Sequence, residues 1–218
     1  MNKMGGFSVG RGVGVRKQVA TQNDDGQSFS AVVTAFKHGA APSTVREGIF
    51  SKLDQFDAAR YPEAKDKLVA AQDVSGGNLL HQVGSFESDG SSVQKLVALG
   101  VDINATDKKG VTPLFYVAAR KEDCSGLVSA FLQAGANPNA VNRQTGKSVL
   151  LEILLTRPLV NNLLVLLQDP DLEIPAKIKL SNGLEMDFSE LIARTYKDPR
   201  DLRCINDVLG KKMGVLEA

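Results

Sequence analysis

Residues that commonly carry chemistry are scarce in this sequence. It has two cysteines, two histidines and no tryptophan in 218 residues. Cys124 and Cys204 cannot define a disulfide framework, and neither has a partner at a metal-ligand spacing such as C-x-x-C. They fit a reducing compartment, so a cytoplasmic location is expected. His38 and His81 offer no zinc-ligand spacing, and no metal site is expected. Aromatic residues make up 6% of the chain against 43% hydrophobic residues, which describes an aliphatic core and suits stacked helices better than a β-sandwich. A surplus of charge is missing too. With 26 basic against 25 acidic residues the formal net charge is +1, so no global field draws the chain to nucleic acid or an anionic membrane. No apolar run reaches the roughly 20 residues that a membrane-spanning helix needs.

Catalytic patterns fail one by one. The glycines of Gly10 to Val15 have no strand before them and no strong helix after them, as a phosphate loop requires. Thr145 to Ser148 reads Thr-Gly-Lys-Ser, the ending of a Walker A loop, but Val141 stands where the earlier glycine should be. Cysteine catalysis would need Cys124 or Cys204 to meet a histidine. Cys204 instead falls on the apolar stripe of the last helix, and Cys124 falls in a link between helices, so both read as structural. Adjacent Glu122 and Asp123 point in different directions on a helix and read as solvated surface. No catalytic residue and no cofactor is expected.

Residues 1–27 are glycine-rich and basic, with Lys3, Arg11, Arg16 and Lys17 ahead of the first acid, Asp24. They read as a flexible tail, with targeting or secretion as the second reading. An apolar signal-peptide core is lacking, and Asn2 excludes myristoylation. From Ser28 an apolar stripe of Phe29, Val32, Val33 and Phe36 predicts a short helix ending at Gly39. Thr44 and Glu47 form a Thr-x-x-Glu capping box for a second helix through Ile49, Phe50, Leu53 and Phe56. Glu63 to Ala71 has helical composition. These elements, residues 28–72, read as a helical N-terminal extension or cap.

Beyond Asp73 the sequence begins to repeat itself. Leu80, Leu114 and Leu150 recur at 34 and 36 residues, as do Gly76, Gly110 and Gly146. Leu99-Gly100-Val101-Asp102-Ile103-Asn104-Ala105 returns 35 residues later as Ala134-Gly135-Ala136-Asn137-Pro138-Asn139-Ala140. Within one unit, Asp107 to Gly110 predicts a turn. Thr112 is positioned to cap a helix that opens on Pro113. Ala118 and Ala119 thin its inner face, Leu127, Val128, Phe131 and Leu132 stripe the returning helix, and Gly135 ends it.

The unit at 107–141 resembles an ankyrin repeat: Gly110 to Ala118 follows the family's G-x-T-P-L-x-x-A-A signal, with Val117 at the first alanine position, and Leu132 to Ala140 reads L-x-x-G-A-x-x-N-A. The unit at 73–106 is similar, with Gly77-Asn78 in place of Thr-Pro and His81 at the family's histidine position. The unit at 142–176 keeps the turn glycine and has Ile153 and Leu154 in place of the alanine pair. Residues 177–218 read as a degenerate repeat forming a C-terminal cap, with Asp198 as N-cap, Pro199 first, and Leu202, Ile205, Val208 and Leu209 inside a helix ending at Gly210. The resemblance implies an all-α fold, an ankyrin-type helix-turn-helix solenoid with an N-terminal helical extension. It also implies that His81 bonds the neighbouring loop backbone.

Binding residues in ankyrin proteins generally come from the turn tips and the inner helices, so the resemblance implies a non-enzymatic module that binds another protein in a concave groove. The candidates are Asp107, Lys108, Lys109 and Val111 on one tip, Asn142, Arg143 and Gln144 on the next, and Tyr116 with Arg120 four residues on along the inner helix. Thr106, Val141 and Lys147, and the inner-helix residues Phe115, Gln82 and Ser85, surround them. The expected state is a monomer with no nucleic-acid or membrane partner. Compact ankyrin proteins with such a leader also resemble bacterial effectors delivered into host cells, by analogy of fold alone. The alternative is a small enzyme or modifying factor, with its active part in residues 28–72 and the repeats choosing its target.

Overall fold

A computed structural model describes residues 25–39, 42–87, 90–156, 159–180 and 183–212, and side chains within these except at 25–29, 42, 46 and 47. The expectations for the leader before Asp25, including the Gly10 to Val15 pattern, lie outside the described residues. Helix α1 (Asp25–Lys37) starts slightly earlier than its apolar stripe, buries Val33 and Phe36, and gives way to Gly39 at φ +78°. Phe29's side chain lies outside the described part.

Helix α2 (Pro42–Gly48) opens on a proline, whose missing N–H costs nothing at that position. Thr44 therefore lies in the first turn rather than before it, which corrects the expected capping box. The Glu47 side chain is outside the described part. Nor does the apolar run continue as α-helix: Phe50–Gln55 form a 3-10 helix. At the break stands Gly48, where a Cβ would lie 2.5 Å from Val32 Cγ2, so α1 and α2 meet closely there. Helix α3 (Pro62–Val69) buries Ala64 and Leu68. It and the 3-10 helix pack on α5 (Ser91–Leu99), and Lys95 reaches Asp54 at 2.7 Å.

From there the helices come in pairs: α4 (Leu79–Phe86) with α5, α6 (Pro113–Ala118) with α7 (Ser125–Gln133), α8 (Val149–Thr156) with α9 (Val160–Gln168), and α10 (Phe188–Thr195) with α11 (Pro199–Lys212). The first members stack in one layer and the second members in another, each against its neighbour in the next pair. The repeated Leu80, Leu114 and Leu150 are buried between the layers, with Phe131, Leu127 and Leu163. At Gly84 the inner layer is so thin that a Cβ would meet the Pro113 carbonyl oxygen at 2.7 Å. The turns before these helices differ in length. Gly76 and Gly110 donate to the carbonyls of Asp73 and Asp107, three residues back, whereas Gly146 donates to Asn142, four back. That added residue accounts for one of the two extra residues in the second spacing, the other lying before Asn142, and it aligns Ala118-Ala119 with Leu154-Leu155 rather than with Ile153-Leu154.

Helices α5 and α7 end alike. Val101 N–H bonds the Leu96 carbonyl and Ala136 N–H the Phe131 carbonyl, each at 3.0 Å, around left-handed Gly100 and Gly135. The last pair departs from expectation in three ways. Strands β1 (Lys177–Lys179) and β2 (Glu185–Asp187) form a small antiparallel ladder with Ile178 opposite Met186, both buried. Helix α11 continues through Gly210 to Lys212, whose ammonium bonds the Asp169 carbonyl beyond α9 and so holds the last turn. Cys204 is exposed rather than on the apolar stripe, because Ile205 and Leu209 set the buried face. The expected cap Asp198 does accept from Arg200 N–H at 2.8 Å.

Candidate functional site

The turn tips are built by one carboxamide or carboxylate each. Asp73 Oδ1 accepts from the N–H groups of Ser75 and Gly77, at 2.8 and 3.0 Å. Asp107 Oδ1 repeats this with Lys109 and Val111 at 2.8 and 3.0 Å, and Asn142 Oδ1 with Gln144 and Thr145 at 2.8 and 3.1 Å. Such side-chain turns are what these residue types favour. The second oxygen of each aspartate reaches an inner-helix group nine residues on, Gln82 Nε2 at 3.0 Å for Asp73 and the Tyr116 hydroxyl at 2.7 Å for Asp107. Tyr116 is thereby fixed against the turn, its hydroxyl held well above the usual phenol range, chiefly by burial and then by the Asp107 bond.

Tip is tied to tip as well. Lys108 N–H bonds the Ser75 carbonyl at 2.9 Å, its ammonium the Val74 carbonyl at 2.8 Å, and Gln144 Nε2 the Lys108 carbonyl at 3.1 Å. Buried His81 accepts Asn78 N–H on Nδ1 at 3.0 Å, which leaves Nε2 to donate to the Val111 carbonyl at 3.0 Å. The histidine thus stitches two turns, as the resemblance implied. Burial lowers its pKa below 6.5, against the opposing pull of the Val111 bond and of Asp107 and Asp73.

Between the second and third tips lies an open groove of about 280 Å³. Val111, Phe115, Tyr116 and Ala119 give it an apolar wall, and Lys109, Asn142, Thr145, Lys147 and Glu152 form its polar side. Lys109 and Ala119 are exposed, and Lys147 faces Glu152 at 3.4 Å. Of the residues expected to bind a partner, Lys109, Val111, Tyr116 and Asn142 meet here. Arg143 and Gln144 stand exposed on the adjoining tip. Asp107 and Lys108 are occupied in building and stacking the turns.

Arg120, expected to share a face of the inner helix with Tyr116, lies beyond the end of α6 at Ala118 and its C-cap Ala119, and it does not line the groove. Its guanidinium bonds the Glu87 carbonyl of the preceding unit and pairs with Glu122. Thr112 stands at the N-cap position of α6, yet its hydroxyl is buried with no hydrogen-bond partner, so the expected cap bond is absent. The caps that form are elsewhere. Asn78 Oδ1 accepts from Leu80 and His81 N–H, and Ser148 Oγ accepts from Leu151 N–H at 3.2 Å.

Sequence reasoning missed Asn162. Almost wholly buried in α9, it accepts from Cys124 N–H at 2.8 Å and donates to the Glu122 carbonyl at 2.9 Å. It holds the start of α7 from 38 residues away in sequence. Cys124 itself is buried there, and burial raises its thiol pKa. Among the described residues no group of histidine, cysteine or carboxylate side chains is arranged to hold a metal ion.

Stacked helix pairs with stitched turns beside a groove define a helical-repeat interaction module. The comparison with known families agrees: residues 109–143 match the family model of the ankyrin repeat, so the chain carries an ankyrin repeat there. No curated protein gives a significant match to the chain. An ankyrin repeat implies a protein-protein interaction module, and that class applies to the matched unit. Among the described residues no helix is long and apolar enough to cross a membrane.

Proposed function

We propose that the protein binds a segment of another protein in the groove between its second and third repeats, as a monomeric, non-enzymatic module. The observation that carries this is the groove's construction. Two turns and two inner helices contribute to it, and each turn is rigidified by its own Asp107 or Asn142 bonds. A preformed site loses little entropy on binding. At this size it accommodates a few side chains of a peptide or of one partner helix.

The segment 42–71 supports a capping role, because its buried residues Val45, Ile49, Leu53, Ala64, Leu68 and Ala71 are all apolar and its last two helical elements cover α5. Two free cysteines fit a reducing compartment such as the cytoplasm. Delivery into a host cell rests on the basic leader alone.

Ala119→Arg tests the reading, because it fills the groove from an exposed position and leaves the core untouched. Affinity capture with the parent chain and with this variant should give partners that the variant loses while its thermal midpoint is unchanged. Partners retained equally by both would move the binding surface elsewhere.

A further inference from the structure

We infer that this groove selects an acidic segment, one that presents Asp or Glu beside small apolar side chains. The inference rests on the groove being the binding surface and adds the chemistry of what binds. The first argument is which polar groups the groove leaves over. Asp107 spends both oxygens on the turn and on Tyr116. Asn142 spends its oxygen on its own turn, but its amide hydrogens meet no acceptor among the described residues. Of the two lysines lining the groove, Lys147 faces Glu152 at 3.4 Å, whereas Lys109 pairs with no described carboxylate. Arg143, exposed on the adjoining tip, is likewise unpaired among the described residues. Apart from the second oxygen of Glu152, what remains unspent is donors and, at Lys109 and Arg143, positive charge, beside the apolar wall of Val111 and Tyr116. Charge-assisted bonds from such donors to a carboxylate are the stronger kind.

The second argument compares the turns. Equivalent positions hold Asp73, Asp107 and Asn142, and the Oδ1 of each accepts two backbone N–H groups, two and four residues on for the aspartates and two and three residues on for Asn142. Turn chemistry therefore does not require the amide. It stands where the side chain itself lines the groove, which Asp107 does not. An aspartate there would oppose an acidic ligand, and an asparagine donates to it.

The test is selection of a random peptide library, displayed on phage, against the immobilised full-length chain, with the enriched peptides then measured by fluorescence anisotropy. Asp and Glu should be enriched. Asn142→Asp should weaken the selected peptides roughly fivefold, and added salt should weaken them further, as expected for exposed charge pairs. The thermal midpoint is measured alongside, since the new carboxylate would also feel Glu152. Lys109→Gln, at an exposed position, is the second variant and should weaken binding in the same direction. If the enriched peptides are neutral or basic and Ala119→Arg abolishes their binding, the acidic preference is wrong and the groove stands. If they bind Ala119→Arg as well as the parent, groove and preference both fail. Absence of any enriched peptide also overturns the inference, because the groove would then take no linear segment.

Discussion

The stack has two edges, and they are held differently. On the turn edge each unit builds its own tip from a local Asp or Asn, and neighbours then join through backbone groups, His81 and the Lys108 and Gln144 side chains on the tips. On the opposite edge, where α6 meets α7, the geometry of one unit is set by side chains of the next or the previous. Arg120 reaches back to Glu87, and Asn162 reaches back to Cys124 and Glu122. Local bonds leave a signature in short sequence, whereas bonds across dozens of residues leave none. The difference predicts where the stack is most easily broken.

The largest loss should come from Asn162→Ala. It strands a buried Cys124 N–H, the kind of unmet group that costs about 1–3 kcal/mol, and removes the part-buried bond to the Glu122 carbonyl. Urea unfolding should show destabilisation of roughly 2–4 kcal/mol with cooperativity retained. A loss below roughly 1 kcal/mol would mean that water replaces the amide and that this edge is no more dependent on distant residues than the turn edge.

Arg120→Ala comes next. Its side chain is 14% exposed, but the paired Glu122 side chain is 64% exposed, so the ion pair itself contributes little. The bond to the Glu87 carbonyl and the buried stem remain, and a loss of about 1–2 kcal/mol is expected. Glu122→Gln should then cost distinctly less than Arg120→Ala in the same unfolding assay. Equal losses would assign the effect to the ion pair.

On the turn edge His81 gives a pH signature. Its folded pKa is lowered below 6.5 by burial, so below 6.5 the unfolded chain binds a proton more readily than the folded one. Stability from the neutral ring is therefore fully present above pH 6.5 and falls as the pH drops below it. Thermal midpoints should decline on acidification through this window, and His81→Gln should flatten that decline. A decline of the same slope in the variant would place its origin in the carboxylates.

The comparison also explains what the sequence disclosed. Repeat spacing, the turn at Asp107 to Gly110 and the ending of α7 at Gly135 were legible because each depends on a few adjacent residues with fixed backbone demands. Much of the candidate site was legible for the same reason, since Lys109, Val111, Tyr116 and Asn142, with Phe115 and Lys147 around them, lie on or beside the turns. Arg120 was misplaced because α6 ends at Ala118, so the i to i+4 rule no longer applies between Tyr116 and Arg120. The β1–β2 ladder was overlooked although Asn182-Gly183, a strong hairpin signal, sits between its strands, because runs of three residues carry too little alternation.

The smallest effect belongs to the residue that looked most informative. Thr112 belongs to the Thr-Pro-Leu signature that made this unit the recognisable one, yet its hydroxyl is buried without a partner, while Asn78 and Ser148 at the equivalent positions make their bonds. A motif residue and a bonded cap are thus separable here: Thr112 N-caps by backbone conformation, with Phe115 N–H bonding its carbonyl at 3.1 Å. Replacing a buried, unbonded hydroxyl by a methyl of the same shape removes a desolvation cost, so Thr112→Val should change stability by less than about 0.5 kcal/mol or raise it. Ser148→Ala, by contrast, should cost about 1 kcal/mol by losing its bond to Leu151 N–H. If Thr112→Val costs as much as Ser148→Ala in parallel urea titrations, the threonine hydroxyl caps α6 in solution, and the turn edge follows the motif more closely than its hydrogen bonds indicate.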